Sequence, residues 1–199
     1  VSSASLSLPL LGAPPLDQAS EPDWDAHAVQ AALAEPAAFR HLVDRYQGRV
    51  YATALRMVGD AAEAQDIAQE AMLRAYRALD RFEQGRRFAP WACAIAANAA
   101  RDHLRSPRRR LQALGLWPTA DRAAEDRPDP IEREQERDAL ADALLQLKPR
   151  LREAMVLRFV SELSVEEVAD ALGIGLSAAK MRLSRGTEQL RQLLGDDAP

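Results

Sequence analysis

Three groups of residues in this 199-residue chain have types and spacings that could do chemistry. Near the C-terminus, Ser177, Ala178, Lys180, Met181, Arg182, Ser184 and Arg185 share the outward side of an expected helix whose inward positions are Ala179 and Leu183. Short polar side chains and cations so placed can reach base edges and phosphates in a DNA major groove, although a solvated basic face would have the same composition. In the first half, Arg101, Arg105, Arg108, Arg109 and Arg110 concentrate positive charge against the lone carboxylate Asp102, downstream of Phe82, Phe88 and Trp91. Such density suits a surface that tracks a nucleic-acid backbone. It would equally complement a helix dipole, and Trp91 reads as core rather than as a stacking platform. The third group, Glu63, Asp66 and Glu70, lines one helix face. Carboxylate bundles that hold metals add Glu-x-x-His pairs on facing helices. His27, His41 and His103 have no such spacing, so the expectation is a solvated face carrying an i,i+4 pair from Glu70 to Arg74, with no metal and no other cofactor.

The elements that must position these groups follow from periodicity. Phe39, Leu42, Val43, Tyr46, Val50, Ala54 and Val58 recur at three- and four-residue steps and predict one helix. Gly59 suits its end and Asp60 the cap of the next, where Ala64, Ile67, Ala71, Ala75 and Leu79 make a second stripe. After a polar loop at Glu83 to Arg87, a third helix is predicted from about Ala89 to Arg105, with Pro90 in its first turn and Pro107 beyond its end. Residues Ser106 to Pro130 lose periodicity and carry Pro107, Pro118, Pro128 and Pro130, the composition of a linker. A second helical block starts near Ile131, with Leu140, Leu144 and Leu147, a break at Pro149, and a helix through Leu151, Met155 and Phe159. Ser164-Val-Glu-Glu167 is poised for a capping box. The short helix it opens ends at Gly173, and a last helix through Leu176, Ala179, Leu183, Leu190 and Leu194 completes a helix-turn-helix.

Composition narrows the class. Hydrophobic residues make up 47% of the chain but aromatics only 5%, and alanine-rich apolar content favours tight helix packing over strands. A net charge of -4 and a pI of about 5.5 exclude a uniformly basic nucleic-acid coat, so contact with DNA must come from local patches. The single Cys93 cannot form an internal disulfide and reads as a small packing residue, which fits a reduced, cytoplasmic setting. Val1 to Ala38 holds no Lys or Arg and is acidic, with only Trp24 to Glu35 patterned for a helix; a solvated tail or an interaction arm are both open. Its apolar stretch lacks a basic leader and is broken by Pro9, Pro14 and Pro15. No apolar run approaches the roughly 20 residues a membrane crossing needs, and no membrane insertion is expected.

At these residues the sequence resembles the extracytoplasmic-function (ECF) group of sigma-70-type sigma factors, over about Phe39 to Arg110 and Ile131 to Leu194. The resemblance implies an all-α chain of two small helical domains, a region 2 bundle and a region 4 helix-turn-helix, joined by a flexible linker. The corresponding boundaries are 1–23 for an acidic arm, 24–105, a linker at 106–130, and 131–199. The stretch from Asp66 to Leu79 is similar to region 2.2, which implies that Asp66, Gln69, Glu70 and Arg74 bind the clamp helices of the largest subunit of RNA polymerase. The run Phe82 to Trp91, with Ile95, Asn98 and Asp102, is similar to the minus-10 melting segment. That likeness implies DNA contacts by Phe82, Arg86, Arg87, Phe88, Ile95, Asn98, Arg101 and Arg105, with Phe82, Phe88, Ile95 and Asn98 around a flipped base. Pro90 and Ala94 depart from the family's frequent polar or basic residues there. Leu147 to Arg158, Ser164 to Gly173 and Lys180 to Arg185 resemble region 4, which implies minus-35 readout by Ser177, Ala178, Lys180, Met181, Arg182, Ser184 and Arg185. Ser177-Ala178-Ala179 replaces the more usual Gly-Thr-Val. The implied function is promoter-specific initiation with core RNA polymerase, without enzymatic chemistry in this chain. The implied partners are the polymerase clamp helices and beta flap, promoter DNA, and an anti-sigma factor. A stand-alone helix-turn-helix regulator, whose N-terminal helices dimerise or sense a ligand, is the rival class.

Overall fold

A computed structural model describes residues 22–106 and 132–195. Most of the acidic arm, and the linker with Arg108, Arg109 and Arg110, lie outside the described residues. Helix α1 spans Pro22–Ala34 and leads through a short turn at Pro36–Ala38 into α2, Phe39–Val58. The predicted stripe of α2 is its buried side: Leu42, Val50 and Ala54 are fully covered, Phe39, Tyr46 and Val58 nearly so, and Val43 is half-buried. Gly59 ends the helix at φ 78° and donates its N–H to the Leu55 carbonyl at 2.8 Å. That left-handed backbone favours glycine, and a Cβ there would also press on Leu145 Cδ1 at 2.6 Å. Asp60 then caps α3, Ala61–Arg77, by accepting from the Glu63 N–H at 2.8 Å.

Helix α4, Phe88–Arg105, packs on α2 and α3 through Ala92, Cys93, Ala96, Ala97, Ala99 and Ala100, all buried and all small, which lets three helix backbones approach closely. Its first turn has no cap of its own. Asp25 supplies one from α1: the fully buried carboxylate accepts the Phe88 N–H at 2.8 Å through Oδ2 and the Tyr46 hydroxyl through Oδ1. Desolvation, with Asp25 as the next cause, pushes the Tyr46 phenol above its ordinary value and keeps it a neutral donor.

The C-terminal helices are α5 (Glu132–Gln146), α6 (Pro149–Met155), α7 (Val165–Leu172) and α8 (Leu176–Leu194). Between α6 and α7 the chain widens into a π-type turn at Val156–Val160, closed by the Ser161 N–H on the Val156 carbonyl at 3.0 Å. The capping box forms as the sequence predicts: Ser164 Oγ accepts from Glu167 N, and Glu167 accepts from Ser164 N at 2.7 Å. Gly173, at φ 62°, turns the chain towards α8. Gly186 of α8 lies against Met155, where a Cβ would stand 2.6 Å from Cγ.

The two helical blocks pack on one another. Leu157, Leu163, Val168 and Ala169 join the same apolar cluster as Leu42, Val50, Phe88 and Ala92. Arg152, half-buried, donates to the Met57 carbonyl at 2.8 Å and to the carbonyls of Leu145 and Leu147, so one cation serves the last turns of both α2 and α5.

Candidate functional site

The carboxylate face of α3 divides. Asp66 and Gln69 are exposed, and Glu70 pairs with Arg74 at 2.8 Å, as i,i+4 geometry predicts. Arg74 also reaches Asp102 of α4 at 3.5 Å, and the Glu70 hydrogen bond leads the causes that hold its guanidinium above the ordinary value. Glu63 corrects the sequence reading of a solvated face. It is 4% exposed, with its carboxylate 3.3 Å from His103 Nε2, because the N-terminal turn of α3 tucks under the end of α4. Among the described residues no three His, Cys, Asp or Glu side chains are grouped to hold a metal.

Beside Gln69 runs a groove of about 870 Å3 between α2 and α3, lined by Val43, Gln47, Tyr51, Met72, Leu73 and Tyr76 among others. Leu73 and Tyr76 stand 50% and 39% exposed at its rim. They join the apolar lining of the groove to the polar side chains of Gln47 and Gln69. Sequence periodicity missed them because they fall beside the buried stripe and resemble ordinary helix-surface residues.

The expected minus-10 residues separate into two places. A crevice of about 330 Å3 gathers Phe82, Arg86 and Arg87 of the loop with Pro90, Trp91 and Ala94 of α4. Phe88 corrects the reading: it is 0% exposed, its ring enclosed by Tyr46, Phe82 and Trp91, so it builds the wall from behind and offers no face to a base. The cause is its backbone N–H, which Asp25 ties into the core. Phe82 is likewise mostly covered, and Ile95 packs half-buried on the core. Asn98 lies a turn further along α4, where its amide oxygen accepts from Arg101 Nη2. Pro90, Trp91 and Ala94, the residues at or beside the departures from the family pattern, are what α4 contributes to the crevice lining.

On α8, Ser177, Lys180, Met181, Ser184 and Arg185 are exposed, while Ala178 and Arg182 are half-buried. Ala178, Met181, Arg182 and Arg185 turn towards Arg101 and Arg105 of α4 across a crevice of about 910 Å3. Glu153 of α6 lies in this crevice, 5% exposed, with an oxygen 2.7 Å from Arg101 Nε. Burial pushes its carboxyl up, and Arg101, Arg182 and Arg105 pull it back. Further ion pairs join the blocks: Arg87 to Glu167 at 3.2 Å and Arg49 to Glu162 at 3.6 Å. The buried hydroxyls of Thr53 and Ser161 meet at 3.0 Å.

Among the described residues, all of whose regular elements are helical, an apolar groove, a cation-bearing helix and a helix-turn-helix stand on one scaffold. Comparison with known proteins identifies the family. Sigma-70 region 2 matches residues 42–110 and Sigma-70, region 4 matches residues 137–190. The chain is 44% identical over 161 residues to the RNA polymerase sigma factor CarQ of Myxococcus xanthus, covering 80% of this chain and 90% of that protein. It is 34% identical over 168 residues to the ECF RNA polymerase sigma factor SigW of Bacillus subtilis, covering 80% and 90%. The solved structure of CnrH in complex with the cytosolic domain of CnrY is similar at TM-score 0.62 and 26% identity, over 87% of this chain and 99% of that one. The chain belongs to the sigma-70 family, in its ECF group.

Proposed function

We propose that this chain binds core RNA polymerase and directs it to promoters, with the first helical block opening minus-10 DNA and the helix-turn-helix reading minus-35 DNA. The observation that carries this reading is the groove of α2 and α3 beside Gln69, on the same block as the cationic face of α4. A stand-alone regulator has no need of both. The clamp helices of the polymerase fit the groove, with Leu73, Tyr76 and Met72 as apolar anchors and Asp66, Gln69 and Glu70 as the polar rim. In the minus-10 segment, Arg86, Arg87, Arg101 and Arg105 follow phosphates, and the loop crevice takes an unstacked base with Asn98 beside it. Ser177, Lys180, Arg182, Ser184 and Arg185 approach the major groove, with Ala178 and Met181 offering apolar contact to thymine methyls.

No bond is made or broken by the chain itself, and the polymerase supplies metal and nucleotide chemistry. No helix among the described residues is long and apolar enough to cross a membrane. The reading places the chain beside the polymerase in the cytoplasm. CnrH was solved with CnrY, and an anti-sigma partner is part of the reading here. Run-off transcription with purified core enzyme tests it: promoter-specific transcripts are expected only when the chain is added. Specific duplex binding to a symmetric site without polymerase, and no transcript with it, would favour the regulator.

A further inference from the structure

We infer that the crevice of about 910 Å3 between α4, α6 and α8 is a binding site for a nucleoside polyphosphate, with the phosphates on its cations and the base on its apolar wall. This ligand site goes beyond the reading of the chain as a sigma factor and does not depend on it. Charge is the first observation. Arg101 and Arg105 of α4 and Arg182 and Arg185 of α8 line the crevice, joined by Lys148, Arg150 and Arg152 at the start of α6, while Glu153 is the sole carboxylate in the lining. Two of these cations are engaged. Arg152 serves the carbonyls of Met57, Leu145 and Leu147, and Arg101 serves Glu153 and the Asn98 amide oxygen. Glu153 acts on Arg182 and Arg105 as well, so one buried carboxylate is shared among three guanidinium groups. Lys148, Arg150 and Arg185 are exposed and make no hydrogen bond or ion pair with another described residue. Like charges gathered in partly enclosed space repel. A ligand carrying several negative charges relieves that repulsion, which a single carboxylate does not.

Shape and lining narrow the ligand. The cations converge from three elements on one hollow, a geometry that suits a small molecule, whereas a duplex lies along an outer face. Its volume is within the range of small-molecule sites, roughly 300–1,000 Å3. Arg101 with Arg105, and Arg182 with Arg185, share a side of their helices at i,i+4 and i,i+3 spacing, and each guanidinium can present two N–H groups to phosphate oxygens. Between the cations the lining is apolar: Met57, Leu104, Leu151 and Met181. Two thioethers and two leucines make a surface for the face of an aromatic ring. Glu153 opposes an anion placed beside it, and burial, by raising its carboxyl, eases that opposition.

Calorimetric titration of the full chain with GTP, ATP and inorganic tripolyphosphate tests the inference without polymerase or promoter. At least one nucleotide should bind in the micromolar range, about fivefold or more tighter than tripolyphosphate, because only a nucleotide uses the apolar wall. Lys148→Glu with Arg150→Glu should weaken nucleotide binding by about tenfold or more. Both positions are exposed, and neither is proposed to touch DNA or polymerase, so the fold and the promoter contacts stay as they are. Arg77→Glu with Arg191→Glu, exposed positions outside the crevice, alters net charge equally and should leave affinity within about twofold. Glu153→Gln should tighten binding by about threefold or more. Absence of nucleotide binding would overturn the inference, and so would an equal loss in the two charge-reversed pairs, the mark of unspecific attraction. Tripolyphosphate binding as tightly as both nucleotides would overturn the assignment of a base to the apolar wall. A single-stranded oligonucleotide that binds more tightly than either nucleotide, with the same dependence on Lys148 and Arg150, would give the crevice to a nucleic-acid backbone instead. Failure of run-off transcription would remove the sigma reading and leave these titrations to decide the crevice.

Discussion

Asp25 shows how much one side chain can organise. It is fully buried, yet both oxygens are used, one on the Phe88 N–H and one on the Tyr46 hydroxyl. Asp25→Ala leaves both donors without a partner and removes the cap of α4. Such losses together should cost about 2–4 kcal/mol, read as a lower urea midpoint; a midpoint equal to wild type would mean that other groups satisfy both donors. Glu153 is a different case. Burial raises its carboxyl more than Arg101, Arg182 and Arg105 lower it, so the folded chain holds the Glu153 proton more tightly than the unfolded chain does. Its contribution is therefore present at low pH and lost as pH rises through the raised value. Wild type should accordingly lose stability relative to Glu153→Gln between acidic and neutral pH in paired urea titrations; a gain over that range would contradict the sign. A buried ion pair can thus add little net stability and still specify which surfaces meet.

At the scale of elements, what matters is how closely helices approach. The alanine-rich face of α4 brings the 83–87 loop, proposed to meet a base, and the cationic helix end onto a platform of α2 and α3. In the C-terminal block, Gly186 does the corresponding work for α8 against Met155. Two effects compete in Gly186→Ala: helix propensity favours alanine by roughly 1 kcal/mol, whereas a methyl group 2.6 Å from Met155 Cγ overpacks a site where Met155 is only 2% exposed. Overpacking, at about 1–3 kcal/mol, should prevail. Thermal unfolding should show a lower midpoint, and a raised one would mean that Met155 repacks freely. The π-type turn at Val156–Val160 sets the other geometry, since it delivers Ser161 and Glu162 onto α2.

At the scale of the whole molecule, the proposed tasks sit on separable surfaces. Leu73 is 50% exposed at the groove, so Leu73→Asp should change stability by no more than about 0.5 kcal/mol. It should weaken binding to core polymerase by about tenfold or more, as expected of an interface anchor, which fluorescence anisotropy with labelled chain would report. Undiminished binding would move the clamp contact elsewhere. Arg185→Ala should leave core binding intact. It should weaken holoenzyme binding to minus-35 duplex by about 1–3 kcal/mol if the guanidinium reads a base, and a titration of holoenzyme on duplex DNA would show no change if it does not.

Much of this protein could be read along the chain because the determining interactions are local. Gly59 and Asp60 mark a helix boundary through bonds to Leu55 and Glu63. Ser164 and Glu167 close their box within one turn, and the apolar steps of α2 and α3 name their buried sides, whereas in α8 Ala179 and Leu190 are buried and Leu176 stays 40% exposed. The helix-turn-helix follows from the same periodicity, with Lys180 and Arg185 exposed as expected but Arg182 half-buried. Side-chain type did not say which way Phe88 points, because Asp25, far away in sequence, fixes the backbone it hangs from. Nor did the carboxylates of the C-terminal block reveal their partners: Glu153, Glu162 and Glu167 look like ordinary surface charges until the fold lays them on Arg101, Arg49 and Arg87. Local hydrogen bonds and hydrophobic period determined the helices, and the resemblance of the motifs they carry implied the class of protein. Only tertiary packing decided which aromatic faces solvent and which cations are already answered, since those depend on groups that the linear pattern does not relate.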